Sequence, residues 1–270
     1  MSFKSKLLVG AATLALVGGV GTAGALSASA ATPSCGNSCI NIFSRDFGTF
    51  ATPNFTMDVW RQGAKVGQPI ILFRVSNSDP ALDFTPSFQG LTSDFFAAGL
   101  VSSAVNLHYG GGGHFTTTSA VCPDGTQNTT GVCVTPDDPA VELEYAPFGV
   151  DSGLCVGLAT TAISGEGVSL QPCGVSAKTV WNLDIGGTRF SGADDINAAS
   201  QGFIPLINGS TTNFSHPHVL TYPNNSFPTD KPRPQLQVRN LTGFSNGNGG
   251  PVLGSVSSNQ LWGATFGVLH

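Results

Sequence analysis

Hydrophobic positions come in short runs of three to five residues, broken by Gly, Asn, Ser and Pro, and never in the 3.6-residue rhythm of an amphipathic helix. Three stretches share one order of features. The first runs Met57-Asp58-Val59, Gly67-Gln68-Pro69-Ile70-Ile71-Leu72-Phe73 and Leu82-Asp83-Phe84. The second runs Cys155-Val156-Gly157-Leu158, Gly167-Val168-Ser169-Leu170-Gln171-Pro172-Cys173 and Thr179-Val180-Trp181. The third runs Leu236-Gln237-Val238, Gly250-Pro251-Val252-Leu253-Gly254 and Gln260-Leu261-Trp262. From the middle of each opening run to the closing aromatic the separations are 26, 24 and 25 residues. Each stretch predicts a strand, a turn, a second strand, a tight turn and a third strand ending in a large aromatic. No such unit buries an apolar face alone, so the three are expected to share one core about a pseudo-threefold axis.

Between these stretches the chain is longer than the strands need. The closing aromatics stand 97 and 81 residues apart, which predicts two long insertions, over roughly 85–140 and 186–234. Within the first, the span Asp94–Val105 predicts a short helix capped by Ser93 or Asp94. The repeats are expected near 35–90, 141–200 and 203–270, in one all-β domain over 32–270.

The first 31 residues differ from the rest. Lys4 and Lys6 precede an apolar stretch from Leu7 to about Leu26, and Ala28-Ser29-Ala30 offers the small-residue pattern of a signal-peptidase site. Cleavage after Ala30 or Ala31 is the expectation, which predicts a secreted protein; a retained membrane anchor is the competing reading. Charged residues are 10% of the chain, against about 25% in typical soluble domains. The net charge is −5, and loss of Lys4 and Lys6 makes it more negative. Nucleic acid and an acidic membrane surface, which both need a basic face, are therefore not expected partners.

Export also bears on the cysteines. Cys35, Cys39, Cys122, Cys133, Cys155 and Cys173 form an even set, as in disulfide-bonded exported proteins. Six cysteines allow fifteen pairings. The local scheme Cys35–Cys39, Cys122–Cys133 and Cys155–Cys173 is favoured because each pair brackets a turn-rich stretch. Zinc is not expected, since no Cys-x-x-Cys pair or nearby His completes four ligands.

The Cys155…Cys173 spacing, with Trp181 eight residues later, and the closing Gln260-Leu261-Trp262 resemble the repeats of the ricin B-type β-trefoil lectin family. The chain is also similar to a group of secreted actinobacterial proteins that open with Ser-Cys-Gly-Asn-Ser-Cys, here residues 34–39. The resemblance implies a β-trefoil and a carbohydrate ligand, such as a neutral or cell-wall glycan. In that family the acid of the opening run accepts sugar hydroxyls, an aromatic ends the second strand, and an Asn precedes the Gln-x-Trp. Carried over, the first repeat has Asp58 and Phe73 but Ala81 in place of the Asn. The second has Gly157, Gln171 and Lys178. The third has Asn259, with Gln237 and Gly254 at the other two positions. Asp58 and Phe73 are thus the candidate carbohydrate-binding residues, with turn capping and core filling as their ordinary structural roles.

Motifs for catalysis and cofactors are sparse. His-Glu-x-x-His and phosphate-loop patterns are absent, and Gly110–Gly113 lacks the Lys-Ser/Thr of a phosphate cradle. His216-Pro217-His218 has no acidic ligand at fixed spacing, so no metal or cofactor is expected. The acid pairs Asp137-Asp138 and Asp194-Asp195 lie in turn-rich loops, where capping and solvation are their ordinary roles. The expected function is a non-catalytic binding module. The alternatives are an interaction protein on the same scaffold without a sugar site, and a hydrolase whose site lies on the insertions.

Overall fold

In a computed structural model the chain falls into residues 1–32 and residues 33–270, and every described residue lies in the second of these. The structure describes residues 40–47, 54–75, 79–112, 114–116, 120, 127–134, 137–183, 203–213, 216–223, 233–242, 244–247, 250–253 and 256–266. The expected signal segment, Cys35, Cys39, Cys122 and Asp194-Asp195 lie outside them.

The strands are β1 (Ile40–Ser44), β2 (Phe55–Val59), β3 (Ile70–Arg74), β4 (Phe84–Leu91), β5 (His114–Thr116), β6 (Val132–Val134), β7 (Pro139–Tyr145) and β8 (Leu154–Gly157). They continue with β9 (Ser169–Pro172), β10 (Val180–Leu183), β11 (Leu206–Asn208), β12 (His218–Thr221), β13 (Gln237–Asn240), β14 (Phe244–Gly247), β15 (Gly250–Leu253) and β16 (Trp262–Phe266). Six of them close a barrel. β1 pairs with β4, β4 with β7, β7 with β10, and β10 with β11. The bridge Ile204↔Trp262 then carries the ring to β16, which pairs with β1.

Three hairpins, β2–β3, β8–β9 and β12–β13, cap one end of this barrel. Their backbones are joined in a cycle. Ile70 N–H donates to the Val168 carbonyl at 3.0 Å, Val168 N–H to Leu236 at 2.7 Å, and Leu236 N–H to Ile70 at 2.8 Å. All three side chains are fully buried. A six-stranded barrel with three hairpins meeting on a pseudo-threefold axis is a β-trefoil, the fold expected from the repeats. Closure leaves the barrel without open strand edges, the usual liability of a sheet this size.

A short 3-10 turn precedes the closing aromatic of each repeat, at Pro80–Leu82, Ala177–Thr179 and Ser258–Gln260. Phe84, Trp181 and Trp262 each follow that turn by two residues and sit in one buried core cluster. This equivalence re-registers the third repeat. Its first hairpin strand is β12, because Leu220↔Val238 matches Val156↔Leu170 and Met57↔Leu72. The expected opening run Leu236-Gln237-Val238 is its second strand, and residues 241–257 are an extra excursion carrying the β14–β15 hairpin. Strands β11 and β12 therefore lie inside the stretch 186–234 that the spacing assigned to an insertion.

The first insertion leaves β4 at Leu91 and forms two helices rather than one, α1 (Thr92–Ala97) and α2 (Ser103–Tyr109). Residues Gly99 to Ser102 break the run, with Gly99 at φ +76° and the Ser102 hydroxyl accepting from Val105 N–H at 3.1 Å. Phe95, Val105 and Tyr109 bury against Ala140, Val180 and Ile207 in a second core cluster. Strand alternation explains the two clusters: Val141, Leu143 and Trp181 join the first while Ala140 and Val180 join the second. Cys155 and Cys173 are bonded, as expected, with Cα atoms 5.0 Å apart. Cys133 is also disulfide-bonded.

Candidate functional site

Asp58 and Phe73 come together, on neighbouring strands of the first hairpin. Asp58 lies opposite Ile71 and Phe73 opposite Thr56. Both line a cavity of about 460 Å³, with Trp60, Arg61, Asp79 and Arg233 among its other walls. The alternation of β2 sends Met57 and Val59 into the core, so Asp58 between them faces the other way, toward the cavity.

The floor and rim of the cavity are built by two tight turns. After Val59 the chain makes a 3-10 turn over Trp60–Gln62, in which Arg61 and Gln62 both take φ 57°. Left-handed backbone at two successive non-glycine residues is costly and persists only where neighbours enforce it. Here Gln68 Nε2 donates to the Trp60 carbonyl, and Gln62 Nε2 donates to Asp79 Oδ1 at 3.0 Å. Asp79 Oδ1 also accepts from Ala81 N–H at 3.0 Å, which caps the Pro80–Leu82 turn. Asp79 therefore ties the two walls of the cavity together.

Asp58 is 4% exposed. Burial pushes its carboxyl up to about 8, the Asp79 charge adds to the rise, and the Arg233 guanidinium opposes it. At neutral pH the group is mostly a protonated acid that both donates and accepts hydrogen bonds. The Arg233 guanidinium carbon lies 4.0 Å from the Phe73 ring centroid, and that of Arg61 lies 5.4 Å from the Trp60 ring centroid. Tyr145 is fully buried nearby in charge terms: burial and the charges of Asp58, Asp83 and Asp79 all hold its hydroxyl in the neutral form.

The equivalent positions in the other repeats differ for a physical reason. In the second, Gly157 stands where Asp58 does. A Cβ built there would lie 2.8 Å from the Lys178 carbonyl oxygen and 2.8 Å from Thr179 Cγ2, so no side chain fits. In the third, the re-registered equivalents of Asp58, Phe73 and Ala81 are Thr221, Arg239 and Asn259; Gln237 falls at the position of Ile71, and Gly254 lies outside the described residues. Thr221, Arg239 and Asn259 line a polar cavity of about 440 Å³. The Asn259 amide is already engaged, donating to the Tyr222 carbonyl at 2.6 Å, and Arg239 Nη2 donates to Gln237 Oε1 at 2.7 Å.

The sequence pointed to Asp58 and Phe73 but not to Trp60, Arg61, Asp79 or Arg233. Trp60 was within reach, since it directly follows the Asp58-Val59 pair. Arg233 was not: it lies 160 residues beyond Phe73, between the two strands of the third hairpin. Of the acid pairs, Asp137 serves as a structural acceptor, taking the Ser93 N–H at 3.1 Å at the start of α1.

No family model matches the chain, and no curated protein matches it. Among solved structures it is similar to ThreeFoil, a designed protein with threefold symmetry (12% identity, 84% of this chain and 98% of that one, TM-score 0.44). It is also similar to a mosquitocidal holotoxin (12% identity, TM-score 0.44), of whose length it spans 17% while 85% of this chain is covered. A third similar structure is the agglutinin from Abrus precatorius (15% identity, 84% of this chain and 96% of that one, TM-score 0.26).

Proposed function

We propose that the protein is a secreted, non-catalytic module that binds a neutral glycan in the first-repeat cavity, with Asp58 as the hydrogen-bonding group and Phe73 as the apolar wall. The observation that carries this reading is the convergence of Asp58, Phe73 and Trp60 on one cavity of about 460 Å³. A sugar presents hydroxyls on its edge and C–H groups on its face. A buried acid that donates and accepts, beside aromatic surface, meets both. The residues before 32 serve in this reading as the export signal.

A glycan array followed by calorimetry tests it. Wild type binds one or more neutral glycans, and Asp58→Ala removes that binding while the melting curve stays cooperative. Silence of the wild type on every neutral glycan overturns the reading, and unchanged binding by Asp58→Ala moves the site elsewhere.

One observation favours the second reading, an interaction protein without a sugar site. Arg233 stacks on the Phe73 ring and covers the face a sugar would use. On the glycan reading Arg233→Ala uncovers that face and tightens sugar binding; on the second reading wild type and Arg233→Ala are equally silent.

A further inference from the structure

A second opening lies apart from the candidate sugar site. It is an apolar cavity of about 660 Å³ at the other end of the barrel, away from the hairpin cap. Every barrel strand contributes to its wall, and the register explains how. Strands β1, β7 and β11 start at this end and β4, β10 and β16 finish there, as Leu91↔Pro139, Leu183↔Leu206 and Ile40↔Phe266 place them level. Inward-facing Ile42, Val141, Leu143, Leu206 and Trp262 form the deep wall, and all are buried. Leu183, Ile204 and Ala264 are half-buried at the rim. Interiors of small barrels are ordinarily filled by their own side chains, and close-packed cores leave few voids larger than a water. Here the rim positions include Gly90, Gly263 and Ala264, too small to fill the space six strands enclose.

A cavity of this volume, walled by aliphatic side chains, falls in the range of small-molecule pockets. Its polar lining comes from Gln89 and Asp94, one from the end of β4 and one from the first turn of α1. Both side chains are exposed, so they stand at the mouth of the cavity, where a ligand's polar head would meet them. A hydroxyl satisfies both an amide and a carboxylate, whereas a second carboxylate meets the Asp94 charge.

We infer that the open end of the barrel binds a small apolar alcohol, with its hydrocarbon body among Ile42, Val141, Leu206 and Trp262 and its hydroxyl at Gln89 and Asp94. This site is separate from the glycan cavity in residues and in chemistry, and neither requires the other.

The experiment uses the exported chain and the neutral fluorescent probe N-phenyl-1-naphthylamine. The probe's fluorescence rises on saturable binding, dodecanol displaces it, and dodecanoate at the same concentration displaces it far less. Ala264→Leu, at the half-buried rim, places three further carbons in the cavity and weakens the probe about tenfold or more. Ile204→Phe does the same from the bridge ahead of β11, so the outcome does not depend on one variant folding. Asp58→Asn leaves probe binding unchanged. Absence of saturable probe binding to the wild type overturns the inference, as does equal displacement by alcohol and carboxylate or indifference to both rim variants in folded protein. None of these results bears on Asp58 and glycans, so the two readings fail separately.

Discussion

The indole N–H of Trp181 donates to the backbone carbonyl of Val156 at 2.9 Å, inside the core. The same bond recurs one repeat later, from Trp262 to Leu220 at 2.8 Å. Each ties the closing strand of a repeat to the first strand of its own hairpin, and so locks barrel to cap. In the first repeat Phe84 fills the equivalent place with a ring that has no donor.

Removing either indole donor leaves a buried carbonyl without its partner and a space where the second ring was. Trp181→Phe and Trp262→Phe are each expected to lower stability by about 2–4 kcal/mol. Phe84→Leu, which breaks no hydrogen bond, is expected to cost less, about 1–2 kcal/mol. Urea denaturation of the three variants measures the order, and an equal cost for all three would remove the hydrogen bond from the explanation.

Asp58 gives stability a pH dependence of definite sign. Its folded carboxyl is raised from the ordinary 3.8 to about 8, so between these values the folded state holds a proton that the unfolded chain has lost. This contribution to stability is complete below about pH 4 and declines by up to about 1.4 kcal/mol per pH unit as the pH rises toward 8. Asp58→Asn keeps the neutral shape and is expected to flatten the slope and to melt higher than wild type at pH 8. Melting temperatures from pH 4 to 9 decide it; parallel curves for the two proteins would exclude Asp58 as the source.

Gly157 tests why the second repeat has no equivalent acid. A Cβ there meets the Lys178 carbonyl and Thr179 at 2.8 Å, both in the closing turn of the same repeat. Gly157→Ala is expected to destabilise by about 1–3 kcal/mol, and Gly157→Asp by more, since a buried acid is added to the clash. Neither creates a new glycan site. A Gly157→Asp protein that melts like wild type would show that the closing turn gives way.

The Cys155–Cys173 bond closes a loop with a sequence separation of 18 around the second hairpin. On the chain-entropy account a loop of this length contributes about 3 kcal/mol. The double variant Cys155→Ala with Cys173→Ala is expected to lose stability of that order under oxidising conditions and to respond less than wild type to added reductant. A wild type indifferent to reductant would assign the stability to packing alone.

Gln260 is the amide of the closing Gln-Leu-Trp and is 2% exposed with both ends engaged. Its Oε1 accepts from Thr242 N–H at 2.8 Å, and its Nε2 donates to the Asn240 carbonyl at 2.9 Å. It therefore pins the excursion after β13 to the closing turn. Gln260→Ala is expected to cost about 1–3 kcal/mol and to raise amide exchange around Thr242, read by hydrogen exchange.

Much of this fold was legible because local chemistry and repetition agree. Short β-branched and aromatic runs between Gly, Asn and Pro specify strands and turns whatever surrounds them, and three closing aromatics at similar offsets specify a shared core. The second repeat was read best, because its Cys155…Cys173 span and Trp181 carry no insertion. The third was read one strand out of register. Residues 241–257 place an extra hairpin between β13 and Trp262, and an apolar Pro251-Val252-Leu253 run looks like a core strand until its neighbours are known. The helices were half-legible: a helical stretch was visible, but Ser93 and Asp94 lie inside α1 rather than capping it, Leu91 stands at its N-cap, and Gly99 divides the one expected helix into two.

What the sequence determined by itself was the hairpin and closing strands of the first two repeats, the pairing of Cys155 with Cys173, and Asp58 with Phe73 as the residues worth watching. Those follow from short-range spacing, which the chain carries wherever it folds. Only the tertiary structure decided that Arg233 covers Phe73, that Asp79 joins the two turns beside Asp58, and that Gly157 has no room for a side chain. It alone decided that six strand ends enclose an apolar cavity. Each of these depends on distance between residues far apart in the chain, and on close packing, in which a fraction of an ångström admits or excludes a side chain.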